Sequence, residues 1–193
     1  MQSHEAFLQA NQLFSQLVQS ITPDAWIKPT PCDKWNVRQL VAHVAYENAW
    51  VPDLLNGKTV QEIGNKYDGE LLGDDPKAAW KRYSEAAEQA VHNSKSGQDL
   101  VHLSFGDFSV DFYINQLFFD HIIHSWDLAV ALSSQLKFND QLVEYAYNSV
   151  KDRAESLESS GLFKSPVAVE PNAPTLARLV ALSGRDPNWN STS

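Results

Sequence analysis

Four ionisable side chains crowd one of the most apolar stretches of the chain, FFDHIIHSWDLA, residues 118–129. On a helix, positions four apart lie about 40° from each other, so Asp120 and His124 project side by side. His43 stands among Ala42, Val44 and Ala45, where an aliphatic side chain would be the ordinary choice. Two imidazoles and one carboxylate form a ligand set for a divalent transition metal and leave at least one position open to water or substrate. Asp127, three residues after His124, is spaced to accept a hydrogen bond from that ring's other nitrogen. His121 either replaces Asp120 as ligand or faces a neighbouring helix, and the second role is favoured. Glu47, four residues after His43, is placed to steady His43 or to act as a base.

Each of these residues also has an everyday reading, since an acidic residue four before a histidine is a common helix-surface pair. The apolar neighbours Leu117, Phe118, Phe119, Ile122 and Ile123 argue for burial instead. There, coordination to a metal would keep a carboxylate ionised and offset its desolvation. His102, Ser104 and Asp107 form no triad, because nothing in their spacing fixes a mutual geometry.

Helices have to position this set. Phe7, Ala10, Phe14, Leu17 and Ile21 recur at three- and four-residue steps and predict a first helix that stops before Pro23. Three prolines make 22–35 an extended connection. Asn36 with Gln39 starts a second helix through Leu40, Val44 and Leu54 to Gly57, with Pro52 kinking or shortening its last turns. Residues 57–74 read as a surface loop. Asp75 caps and Pro76 opens a third helix, striped by Ala79, Trp80, Tyr83, Ala87, Ala90 and Val91. The 100–109 segment is either a short strand or an extended connector. Ser109 then caps a fourth helix over 110–133, apolar on nearly every side and so the most enclosed. A fifth helix is expected over 139–159, from Asn139 or Asp140 to a stop at Gly161. The tail holds an extended piece and a short helix closed by Gly184 and Pro187. Together these predict an all-α antiparallel four-helix bundle over 1–160, with an extra helix, and a short extension over 161–193 packed on it.

The bulk composition narrows the partners. Of 193 residues, 43% are hydrophobic, and 24 acidic against 15 basic residues give a net charge of −9, which repels phosphate backbones and anionic lipid. Nucleic acid and membrane are therefore not expected as partners, and the protein is expected to be a monomer or a homodimer. Cys32 is the sole cysteine, so no internal disulfide forms, and the start has no basic, continuously apolar leader. A cytoplasmic protein is the expectation.

Three segments together resemble one family. CDKWNVRQLVAHVAYENAW is similar to the second-helix motif of the DinB-like metal-binding bundles, and FFDHIIHSWDLA is similar to their later ligand-bearing helix. LVALSGRDPNW matches an ending common in one subgroup. The functional relative is the mycothiol-dependent maleylpyruvate isomerase family, through its N-terminal metal-binding domain. The resemblance implies that His43, Asp120 and His124 are metal ligands around zinc first, with nickel, manganese or ferrous iron as the other candidates. It also implies a low-molecular-weight thiol as co-reactant and a small electrophilic substrate, held between the bundle and segments 57–75 and 100–109. In such a site the cation favours thiolate over thiol, or generates hydroxide from water, for transfer, isomerisation or hydrolysis.

Two departures limit the resemblance. The isomerases carry glutamate where this chain has Asp120, one carbon shorter, and their larger C-terminal domain is reduced here to a tail. Isomerase activity is therefore not carried over. The alternatives are a metal- or small-molecule-binding protein without turnover and, ranked last, a ferrous oxygenase.

Overall fold

The computed structural model describes residues 1–94, 99–135, 137–153 and 164–190. Helix α1 (Ser3–Ser20) buries Phe7, Ala10, Phe14, Leu17 and Val18 along one stripe. The connection that follows is not wholly extended: Pro23–Ile27 forms a 3-10 turn, with Pro23 pre-setting its first dihedral angle. Helix α2 (Val37–Leu55) opens on the expected capping box. The Asn36 side chain accepts from the Gln39 amide at 2.9 Å, and the Asn36 amide donates to the Gln39 side chain at 3.0 Å. Pro52 lies inside its last turn, and the helix ends three residues later.

The expected 57–74 loop contains a one-turn helix, α3 (Val60–Ile63), started by a second capping box between Thr59 and Glu62. Flanking glycines and charges mask this four-residue signature in the sequence. Helix α4 (Pro76–Asn93) is capped by Asp75, whose side chain accepts from the Ala78 amide at 3.0 Å. The undecided segment is an antiparallel hairpin of β1 (Leu100–Leu103) and β2 (Gly106–Ser109), turning through Ser104 and Phe105 into Gly106, whose φ is +139°. Ser109 then caps α5 (Val110–Ala131). Helix α6 (Asp140–Val150) starts at Asn139 and passes into a 3-10 turn, Lys151–Arg153. The rest of the helix expected to 159, and its stop at Gly161, lie outside the described residues. In the tail, α7 (Thr175–Leu182) packs on α6. No helix among the described residues is long and apolar enough to cross a membrane.

Among the described residues the chain is thus mainly helical, with one small two-stranded sheet. Helices α1 and α2 each pack against both α4 and α5, which closes a four-helix bundle around the core. One half of the core gathers Phe7, Ile114, Phe118 and Ile122, and the other Phe14, Leu40, Val44, Trp80 and Leu128. A polar layer, fully buried at Asn11 and Asn48 and half-buried at Glu88, also crosses the interior. Asn48 of α2 donates to Asn11 of α1 at 3.0 Å, and Asn11 donates to Ser84 and Glu88 of α4 at 2.8 and 2.7 Å. Without such partners each buried amide would carry a desolvation cost of about 1–3 kcal/mol.

The segment after α2 is tied down by one carboxylate. Asp53 accepts from Lys58 at 2.8 Å, Lys66 at 2.6 Å and Tyr67 at 2.8 Å, and these bonds hold it well below the usual carboxylate range. Both lysines are about half exposed, so solvent screens much of this attraction. Asp53→Ala is expected to lower unfolding stability by about 2 kcal/mol and to speed amide exchange across 58–67. Unchanged urea midpoint and exchange would refute this anchoring.

Candidate metal centre

The site lies on the seam between α2 and α5. His43 comes from the middle of α2, and Asp120 and His124 come from successive turns of α5. One ligand atom from each of the three falls within 4.8 Å of the others. His124 Nε2 is 3.3 Å from Asp120 Oδ1, and His43 Nε2 is 3.4 Å from Oδ2 and 3.5 Å from Oδ1. Charge-assisted hydrogen bonds run shorter, about 2.7–2.9 Å. Four ligands at about 2.0–2.1 Å from a tetrahedral cation are about 3.3 Å apart, close to the two separations between Asp120 and the histidines. Asp120 Oδ2 is buried without a hydrogen-bond partner, although a buried carboxylate oxygen ordinarily has one. On donor chemistry, spacing and this orphaned oxygen, the three residues fit a divalent metal.

His43 and His124 are oriented from outside the cluster. The Trp35 indole stacks on His43 with centroids 4.5 Å apart and planes at 30°, and lies 5.6 Å from His124. A compact loop presents it: Thr30, 4% exposed, donates to the Trp35 carbonyl at 2.8 Å, and Pro29 bridges to Asn36. On the other side His124 Nδ1 donates to Asp127 Oδ2 at 2.9 Å, which leaves Nε2 facing Asp120. Asp127 is completely buried and is gripped by the Arg185 guanidinium, Nε to Oδ1 at 3.2 Å and Nη2 to Oδ2 at 3.0 Å.

The electrostatics follow from this packing. Burial alone would raise Asp120, but the charges of His124 and His43 and their hydrogen bonds hold it well below its ordinary value. Burial opposes a charge on His124 too, yet Asp120 and Asp127 together raise the ring to about 9. Asp127 is held below its usual value against its own burial, by His124 and Arg185. Burial pushes Glu47 up to about 7, with Asp120 adding to the rise and the two histidines opposing it.

Of the residues singled out in the sequence, His43, Asp120 and His124 come together, with Asp127 behind His124. Glu47 stands one turn beyond His43, whose hydrogen-bonding neighbour is Asp120. His121 points elsewhere: it is fully buried, its Nδ1 donates to the Leu117 carbonyl at 2.8 Å, and its ring packs 5.1 Å from Phe7 and 6.3 Å from Phe14 of α1. His102 and Asp107 pair across the hairpin at 2.7 Å, both partly or fully exposed. Trp35 and Arg185 were not singled out. Trp35 had only its position one residue before a helix cap, and Arg185 had only its place in the quoted ending.

A family model described as the mycothiol maleylpyruvate isomerase N-terminal domain matches residues 7–129, which include all three members of the cluster. No curated protein and no solved structure matches the chain.

Proposed function

Because the chain belongs to the mycothiol maleylpyruvate isomerase N-terminal domain family, we propose that it is a metal-dependent enzyme. Its reaction would activate a low-molecular-weight thiol, or water, against a small electrophile. The observation that carries the reading is the convergence of His43, Asp120 and His124 around a buried Asp120 oxygen that makes no hydrogen bond. Bound there, zinc or a similar divalent cation would supply a Lewis acid that lowers the pKa of the incoming thiol or water.

The chain's own residues would do the rest. His43, Asp120 and His124 hold three positions and leave a side open to the co-reactant. Trp35 covers the His43 face and limits water there. Glu47 is the group suited to take the proton from the incoming S–H or O–H, because a carboxyl near 7 divides between both forms at neutral pH. A dication next to Asp120 would lower Glu47 and favour its base form.

The test is a screen of metal-loaded protein with several cellular thiols and small electrophiles, following thiol-dependent loss of the electrophile. Glu47→Gln is expected to keep the metal and lose roughly 10²-fold in kcat. Metal uptake without turnover for any thiol or for water would leave a metal-binding protein and overturn the enzymatic reading.

A further inference from the structure

The matched family region stops at residue 129, yet a contact to the carboxylate behind His124 arrives from Arg185, 56 residues further on. Helix α7 ends in a left-handed turn at Gly184, φ +78°. The Gly184 amide donates to the Ala181 carbonyl at 3.0 Å and the Arg185 amide to the Val180 carbonyl at 3.1 Å, the paired bonds of a Schellman cap. A Cβ at Gly184 would sit 2.5 Å from Lys164 Cβ and 2.7 Å from its carbonyl oxygen, so no side chain fits. This turn sends Arg185 inward, where its Nη1 donates to the Ser183 carbonyl at 2.9 Å and its other two nitrogens grip Asp127.

We propose that the C-terminal tail completes the metal centre, with Arg185 acting as a positioning residue that sets the His124 ring through Asp127. The inference rests on the metal reading above. Asp127 is completely buried, so its orientation is set by protein groups. Its Oδ2 accepts from both His124 and Arg185, and the guanidinium fork engages Oδ1 as well, which fixes rotation of the carboxylate about its own axis. A fixed carboxylate fixes the imidazole tautomer and angle, and with them the direction of the Nε2 lone pair. An arginine that merely fastened the tail would have no need of the buried carboxylate that accepts from His124 Nδ1.

Cobalt(II) is the probe, with affinity read by chelator competition and ligand geometry by the visible absorption of the bound ion, all in the full chain. Arg185→Ala is expected to weaken Co2+ binding about 10-fold and to shift the visible band, while Asp127→Asn weakens it about 10- to 100-fold. If Arg185 acts through Asp127, the double variant binds no worse than Asp127→Asn alone. Affinity and spectrum unchanged in Arg185→Ala, or losses that multiply in the double variant, would overturn the proposal. If Arg185→Ala does not fold, Arg185→Lys carries the test, since it keeps the charge without the fork; weakening several-fold supports the proposal, and wild-type affinity defeats it. Failure of the underlying metal reading looks different: the wild-type chain itself would take up no Co2+.

Discussion

Alanine in place of His124 is expected to strip the purified protein of divalent metal, with His43→Ala doing the same. On the proposed reading each variant removes a ligand outright, so the loss in affinity should exceed the roughly 100-fold upper range for residues that only orient ligands. His124 is the more severe case. Its ring is 5% exposed and bonded on both edges, to half-buried Asp120 and to fully buried Asp127, so truncation also leaves two carboxylates facing an empty volume. The His124→Ala protein should therefore lose metal and unfold earlier on heating, whereas His43→Ala, whose side chain is a quarter exposed, should lose metal with a smaller thermal penalty. Elemental analysis of both variants after dialysis decides it. Full metal retention in either would remove that residue from the centre.

Metal affinity should also climb steeply with pH. In the metal-free chain, Asp120 and Asp127 raise His124 to about 9, so near neutrality a proton occupies the nitrogen that the cation needs. Uptake must expel it, and affinity is expected to rise about tenfold per pH unit from 7 to 9 and flatten beyond. The same shift has the opposite sign for the metal-free fold. A histidine whose folded pKa lies above its unfolded value of 6.5 contributes stability that is fully present below 6.5 and is lost as pH rises through 9. His121 behaves the other way, because burial lowers it to about 4, and its contribution is lost as pH falls from 6.5 toward 4. Competition titrations at pH 7, 8 and 9, with proton release measured in weakly buffered solution, test the first of these. A pH-independent affinity would show that His124 is not protonated before the metal arrives.

The helices and the cluster were legible in the sequence for one reason: both are written in local periodicity. The four-residue step from Asp120 to His124 fixes their shared face once α5 is a helix, and the apolar run around them makes that helix the enclosed one. Asp127 was legible by the same rule. His43 was legible only because a polar ring stood in an apolar stripe. Local pattern also misled where signals competed, as in α3, where a capping box lay among glycines, and at Pro23, where a proline-rich stretch hid a 3-10 turn. Trp35 and Arg185 were beyond reach, since each acts across the tertiary structure. No spacing rule links Arg185 to a carboxylate 58 positions earlier. The family resemblance pointed to the right bundle and is now matched over 7–129, but it assigned no task to the ending that supplies Arg185.

The amide pair Asn11 and Asn48 has a mechanical meaning for the cluster, since Asn48 follows His43 by five residues on α2. A helix that slides by a single residue moves 1.5 Å, far outside the roughly 0.2 Å within which metal–ligand distances are held. An interior made only of hydrocarbon would resist such slippage weakly, because one aliphatic contact substitutes for another. Directional bonds do not, and Asn48 shares α2 with His43 while its partner Asn11 shares α1 with Phe7 and Phe14, the rings that bracket His121 on α5. The helix bearing His43 and the helix bearing Asp120 and His124 are thereby indexed to a common gauge, so that movements of the surrounding loops need not disturb the alignment of the three side chains.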